Sequence, residues 1–182
     1  SQKTIYKKYN SGVLNESRDI SIYLPKSYNI DSISNFPLAI VLDGHKLFDL
    51  YVGTSNYYSY QDNAPEQIVV GIHMKDSRNK DAGYEITNGN LTTDSEKFYR
   101  FIRDEIIPYM EASYKTSPFI TIVGESLTAN FITHFLKEEY SIFNAYICLN
   151  PTLSEGITKQ FQSYNIDNLS TEDNTFYFYL SG

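Results

Sequence analysis

The stretch Phe119-Ile-Thr-Ile-Val-Gly-Glu-Ser-Leu-Thr128 decides the fold. Residues 119–123 are β-branched, aromatic and almost continuously apolar, as expected of a strand covered on both faces. From Leu127 to about Lys137 the spacing is helical, with Leu127, Phe131, His134 and Phe135 near one stripe. Only Gly124, Glu125 and Ser126 separate the two. A buried strand that turns this tightly into a helix is the repeating unit of a parallel sheet.

Working outward, residues 37–42 and 67–72 read as two more buried strands, and residues 144–149 as another, ended by Asn150-Pro151. Residues 175–180 read as a last one. A helix follows a cap at Asp94 or Ser95 and runs to about Tyr114. Phe98, Phe101, Ile102, Ile106 and Met110 share one of its faces, and Pro108 predicts a kink. Residues 46–60 form a short helix or loop, and residues 157–162 a weak helix. Residues 5–9 and 19–24 alternate in the strand manner around Asn10-Ser11-Gly12, which predicts an antiparallel hairpin. Residues 73–94 are polar and irregular, a loop long enough to be functional or mobile. The order, hairpin then βαβαβαβ, predicts an α/β fold in one domain spanning residues 1–182. Its sheet is mostly parallel, with helices on both faces. Ligands in such sheets sit at the carboxyl ends of the strands, where Asp43-Gly44-His45 and Glu125-Ser126-Leu127 both fall.

Composition narrows the classes. The 182 residues carry 15 basic and 22 acidic side chains, a net charge of −7, which argues against general binding to a nucleic-acid backbone. One Cys excludes an internal disulfide and a cysteine-based zinc site. No apolar run approaches the length of a membrane span. No Gly-rich phosphate loop and no metal-ligand spacing is visible, so no cofactor is expected. The chain starts at Ser1 rather than Met and shows no leader. A processed start would favour a periplasmic or secreted address, with a cytoplasmic one left open. The 17 Tyr and 11 Phe suit core edges, or a cleft for an aryl or sugar group.

A Ser on a tight strand-to-helix turn exposes its hydroxyl above the sheet. The amide after it, Leu127 N–H, lies in a helical first turn, where amides are unpaired and favour negative charge. Such an amide stabilises the oxyanion formed when a Ser attacks an acyl carbon. An ordinary helix-capping Ser is the plain alternative for Ser126.

The ordered set of motifs resembles a known family. It comprises Leu42-Asp-Gly44, Val70-Gly-Ile72 followed by Arg78 and Asp81, Phe101-Ile-Arg-Asp-Glu-Ile-Ile-Pro-Tyr109, Tyr114-Lys-Thr-Ser-Pro118, Val123-Gly-Glu-Ser-Leu127, and Phe143-Asn-Ala-Tyr with Asn150-Pro151. Together they are similar to the esterase branch of the α/β-hydrolase fold, which includes enterochelin-esterase-like and esterase-D-like serine hydrolases. The resemblance implies a three-layer sandwich and a carboxyl-ester substrate. It makes Ser126 the nucleophile, and Leu127 N–H and His45 N–H the oxyanion donors. Gly44 and Arg78 would then border the substrate, with a loop-ordering ion pair as the alternative for Arg78.

The chain departs from the family pattern at two places. Thr128 stands where the family has a glycine, which predicts a strained or displaced turn. The family's acid and His, which follow the nucleophile, have no match, since residues 175–180 correspond to the strand before the acid. His45 and His73 precede Ser126, and His134 lies about 12 Å along the same helix. Glu155 is a substitute acid in some variants of the fold, with no His here to orient. The expectation is therefore a chain that lacks the last strand and helix, and that turns over slowly if at all. Two readings follow: a serine esterase acting through an acyl-enzyme, or a non-catalytic ligand-binding module on a hydrolase scaffold. The strand at 175–180, left at an edge, is also a candidate surface for homo-oligomer formation.

Overall fold

The computed structural model describes residues 3–29, 33–137, 142–164 and 177–181. Its strands are β1 (Lys3–Ser11), β2 (Glu16–Leu24), β3 (Phe36–Val41), β4 (Ile68–Ile72), β5 (Thr116–Glu125), β6 (Ala145–Leu149) and β7 (Tyr177–Ser181). They form one sheet in the order β1-β2-β4-β3-β5-β6-β7. β1 with β2 and β2 with β4 are antiparallel, and every pair from β4 to β7 is parallel. The helices are α1 (Gly44–Tyr60), α2 (Arg78–Asp81), α3 (Thr93–Phe101), α4 (Ile107–Ser113), α5 (Leu127–Thr133) and α6 (Glu155–Ser163).

The alternation of each strand sorts its side chains between two layers. Val41, Val69, Val123 and Ile147 face α1 and meet Leu47, Phe48 and Tyr51. Ile22, Leu38, Ile40, Val70 and Ile122 face the other way, into a larger core with Phe98, Phe101, Ile102, Met110 and Phe131. The predicted helical stripe of Phe98, Phe101, Ile102, Ile106 and Met110 is wholly buried.

Several boundaries differ from the sequence reading, each for a physical reason. The hairpin turn lies at 12–15, with Ser11 opposite Glu16 and Asn15 at φ 54°. A remote carboxylate fixes it: Glu105 accepts from the Ser11 hydroxyl and from the amides of Gly12 and Val13 at 2.8 and 3.0 Å. The helix expected after a cap at Asp94 or Ser95 is capped two or three residues earlier, by Thr92, whose hydroxyl accepts from Ser95 N–H. The kink expected at Pro108 takes the form of a π-helical turn, Ile102–Ile106, between α3 and α4. Proline has no N–H and its ring crowds the carbonyl four residues back, and a widened turn absorbs both faults. Residues 46–60 belong to a complete helix, α1. The polar stretch 73–94 contains α2 and a bridge between Tyr84 and Leu91. Arg18 on β2 anchors α2 through a two-pronged contact with Asp81, both bonds at 2.6 Å, with the two side chains only 6% and 2% exposed.

β7 pairs with β6, and Phe178 reaches the core beside Tyr146 and Phe161. No strand lies on its outer side among the described residues. Residues 175 and 176 of the expected strand, and the polar stretch 165–174, lie outside the described residues. No described helix is long and apolar enough to cross a membrane.

His134, just after α5, is buried, with Nε2 against Gly89 O and Nδ1 within 3.2 Å of Asn130 O and 3.1 Å of Phe131 O. Burial pushes its pKa below the ordinary histidine value, and the carbonyls offset this only in part. Below about pH 6.5 the unfolded chain therefore binds a proton that the folded chain resists. Stability falls as pH drops through that value. His134→Gln is expected to flatten the slope of urea-unfolding free energy between about pH 7.5 and 5.5. An unchanged slope would assign the acid sensitivity elsewhere.

Candidate active site

Val41 opposite Val123 is the last register pair between β3 and β5, and Leu42 N–H donates to Val123 O at 2.9 Å. There β3 leaves the sheet, while β5 runs on beside β6 to Glu125. On the β3 side, Asp43 turns into the left-handed region at φ 52°, ψ 38° and starts α1. Its carbonyl accepts from Lys46 N–H and Leu47 N–H at 2.9 and 3.0 Å. His45 N–H, in the first turn, has no intrahelical acceptor. Gly44 is buried. A Cβ there would sit 2.8 Å from the backbone of Gly71, so α1 touches β4 at this point.

On the β5 side, Ser126 takes φ 56°, ψ −114°, a conformation foreign to ordinary non-glycine backbone. Its N–H donates to Leu149 O at 2.9 Å and its carbonyl accepts from Asn130 N–H at 3.0 Å. The side chain is half-buried, and its hydroxyl has no hydrogen-bond partner among the described residues. It is not a capping Ser, because it makes no side-chain bond to the first turn of α5. Leu127 N–H, the first of that helix, has no intrahelical acceptor either.

A network joins the two turns. The Asp43 carboxylate is wholly buried and accepts from Arg78 Nε at 2.8 and 3.0 Å and from Thr128 Oγ1 at 2.8 Å. Arg78 Nη2 donates to Glu125 O at 2.9 Å. Thr128 Oγ1 in turn accepts from Glu125 N–H at 2.8 Å. At the surface, Lys46 Nζ lies 2.8 Å from the Glu125 carboxylate.

Ser126, Leu127, Gly44, His45 and Arg78 therefore converge at the carboxyl ends of β3, β4 and β5. Arg78 commits two of its three nitrogens to Asp43 and Glu125, the loop-ordering alternative of the sequence reading. Thr128 does not force α5 away from β5. Its side chain points sideways to Asp43, and the close approach is carried by Gly124, where a Cβ would stand 2.6 Å from the Thr128 backbone.

None of the three histidines contacts the Ser126 hydroxyl. His134 lies under α5. His73 Nε2 is 2.7 Å from Ser21 Oγ, and burial holds its pKa below the usual range. His45 turns Nδ1 toward Met74 N–H at 3.5 Å, as an acceptor. Glu155 is exposed and pairs with Lys159. Cys148 is buried on β6 with its thiol pushed up to about 12, far from nucleophilic. Among the described residues no cluster of three or more His, Cys, Asp or Glu could hold a metal ion. The sequence reading missed Asp43 as a connecting group. Its signal was present: an acidic residue closing an unbroken apolar strand must find a buried partner.

The sheet order, the flanking helices and the strained Ser after a parallel strand define an α/β-hydrolase fold. The chain belongs to the family described as "Putative esterase", whose model matches residues 11–163. It is 25% identical over 170 residues to the uncharacterized protein YjcH of Bacillus subtilis, covering 90% of this chain and 68% of that one. Two solved structures are similar in fold. An uncharacterised protein of Capnocytophaga ochracea matches with a TM-score of 0.78 and 19% identity over 98% of this chain. An IroE-like serine hydrolase of Shewanella oneidensis matches with a TM-score of 0.75 and 23% identity over 90% of this chain. The present chain spans 57% and 56% of the length of those two proteins.

The contact at Gly124 makes a test of the turn. Gly124→Ala is expected to lower stability by about 1–3 kcal/mol, because the added carbon meets backbone and not a movable side chain. Thermal melts would read the loss. A variant as stable as the parent would mean that strand and helix can separate without cost.

Proposed function

We propose that this chain carries the nucleophile and oxyanion site of a serine carboxyl-ester hydrolase acting on a small-molecule ester. The single observation behind this reading is Ser126: a strained, half-buried serine between a parallel strand and a helix N-terminus, its hydroxyl without a hydrogen-bond partner among the described residues. Membership of the esterase family supports it, as does the description of the Shewanella neighbour as a serine hydrolase.

In this reading Ser126 Oγ attacks the ester carbonyl carbon as its proton passes to a base. The carbonyl electron pair moves onto oxygen, where Leu127 N–H and His45 N–H stabilise the charge. Collapse re-forms the carbonyl and breaks the bond to the alkoxide, which leaves with a proton as the alcohol. Water then repeats the sequence on acyl-Ser126 and releases the acid. The base is none of His45, His73 and His134 as they are placed, and this reading requires another group to take the proton. Gly44 shapes the oxyanion turn, and the remaining face of Arg78 is available to a polar substrate group.

Incubation with a short-chain aryl ester followed by peptide mass analysis is expected to find an acyl group on Ser126 and nowhere else. Ser126→Ala should abolish it. Turnover of the 182-residue chain should exceed the uncatalysed rate by no more than about 10³–10⁴-fold, the residue left when a triad partner is absent. Absence of any adduct, with retained binding of the ester, would favour the second reading, a binding module. The lack of a placed histidine is the observation that speaks for that reading.

A further inference from the structure

We infer that Asp43 and Thr128 are positioning residues that set the spacing of the two oxyanion amides; this rests on the assignment of Ser126 as the nucleophile. The amides belong to different turns. Thr128 follows Leu127 directly, and Asp43 precedes His45 by two residues. Past Val41 and Val123 the ladder between β3 and β5 ends, and beyond the Leu42–Val123 bond side chains must carry the connection between those two turns. One such link is Thr128 Oγ1 to Asp43 Oδ2 at 2.8 Å, with both side chains fully buried.

Proton accounting shows why a hydroxyl is needed. Thr128 Oγ1 accepts from Glu125 N–H, an amide at the end of its strand. Its one proton can go to Asp43 Oδ2 at 2.8 Å or to Glu125 O at 3.0 Å. Arg78 already serves the Glu125 carbonyl. The Asp43 bond is therefore the one the hydroxyl supplies. Valine, of nearly the same shape, would strand the Glu125 amide and remove a donor from a carboxylate with no exposed surface. The Lys46–Glu125 pair spans the same gap, but with the Lys46 side chain 42% exposed it is screened and weak. Arg78 links Asp43 to the carbonyl before Ser126, so it restrains the strand end rather than the helix turn. Among the described residues only Thr128 ties the carboxylate to α5 itself.

Oxyanion donors act within a few tenths of an ångström, and a misplacement of about 1 Å costs on the order of 10²-fold in rate. The test is covalent labelling of Ser126 by an aryl fluorophosphonate in mildly alkaline solution. Hydroxide takes the Ser126 proton, the Oγ–P bond forms, and fluoride leaves. Saturation kinetics separate reversible affinity from the limiting rate, and melts report folding. Thr128→Val and Asp43→Asn are each expected to lower the limiting rate by about 10-fold or more while reversible affinity changes less than about 2-fold. Thr128→Ser should recover the rate to within about 3-fold of the parent. A Val variant labelled at the parent rate overturns the inference, as does a Ser variant as slow as Val. Should Val fail to fold, Thr128→Ala is read against Thr128→Ser in the same way. If the parent itself is not labelled at Ser126, the nucleophile assignment falls first and this inference with it. Labelling of the parent that Ser126→Ala abolishes upholds that assignment, whatever the Thr128 variants do.

Discussion

A carboxylate with no exposed surface cannot stay ionised in a protein interior unless donors surround it. Asp43 is such a group, and it is met by Arg78 Nε and by the Thr128 hydroxyl. The loop after β4, the turn after β3 and the turn after β5 are all held by this one side chain. Arg18 and Asp81 extend the same logic outward, since their buried pair pins α2, and Arg78 with it, to β2. Removing one partner of such a chain exposes the others to an unanswered charge, a larger loss than the bond itself. The carboxyl edge of the sheet therefore behaves as one unit, not as three independent loops.

The strain at Ser126 depends on that unit. A non-glycine residue at φ 56°, ψ −114° costs about 1–3 kcal/mol, and it persists only where its surroundings allow no relaxed alternative. Those surroundings are specific. The Ser126 amide continues the ladder to Leu149, its carbonyl is bound in α5, and the Gly124 contact leaves no slack between strand and helix.

Much of the architecture was legible in the sequence because it is local. The continuous apolar runs marked β3, β4, β5 and β6, and the stripe from Phe98 to Met110 marked the long helix. Features set by distant partners were not legible. The hairpin turn is placed by Glu105, more than 90 residues away. α2 is held by Arg18, 63 residues back from Asp81. The site divides in the same manner. Ser126 and Leu127 stand out because strand, turn and helix are contiguous. The role of Thr128 is hidden because its partner, Asp43, is 85 residues away. From local pattern alone Thr128 is a bulky residue at a place that wants a small one, whereas in the fold it supplies a proton to a buried acid.

The two functional readings differ in what they ask of Ser126. A binding module needs donors for its ligand, and helix first turns supply them with relaxed backbone. It has no use for a hydroxyl raised on a strained turn and left without a partner. A nucleophile needs both conditions, because a hydroxyl already bonded to its own helix must break that bond before it attacks. The spare hydroxyl and the strained backbone occur at the same residue, beside two amides free of intrahelical acceptors. That coincidence weighs toward acyl transfer. The positions of the histidines bear on a different question, namely where the proton goes once the attack begins.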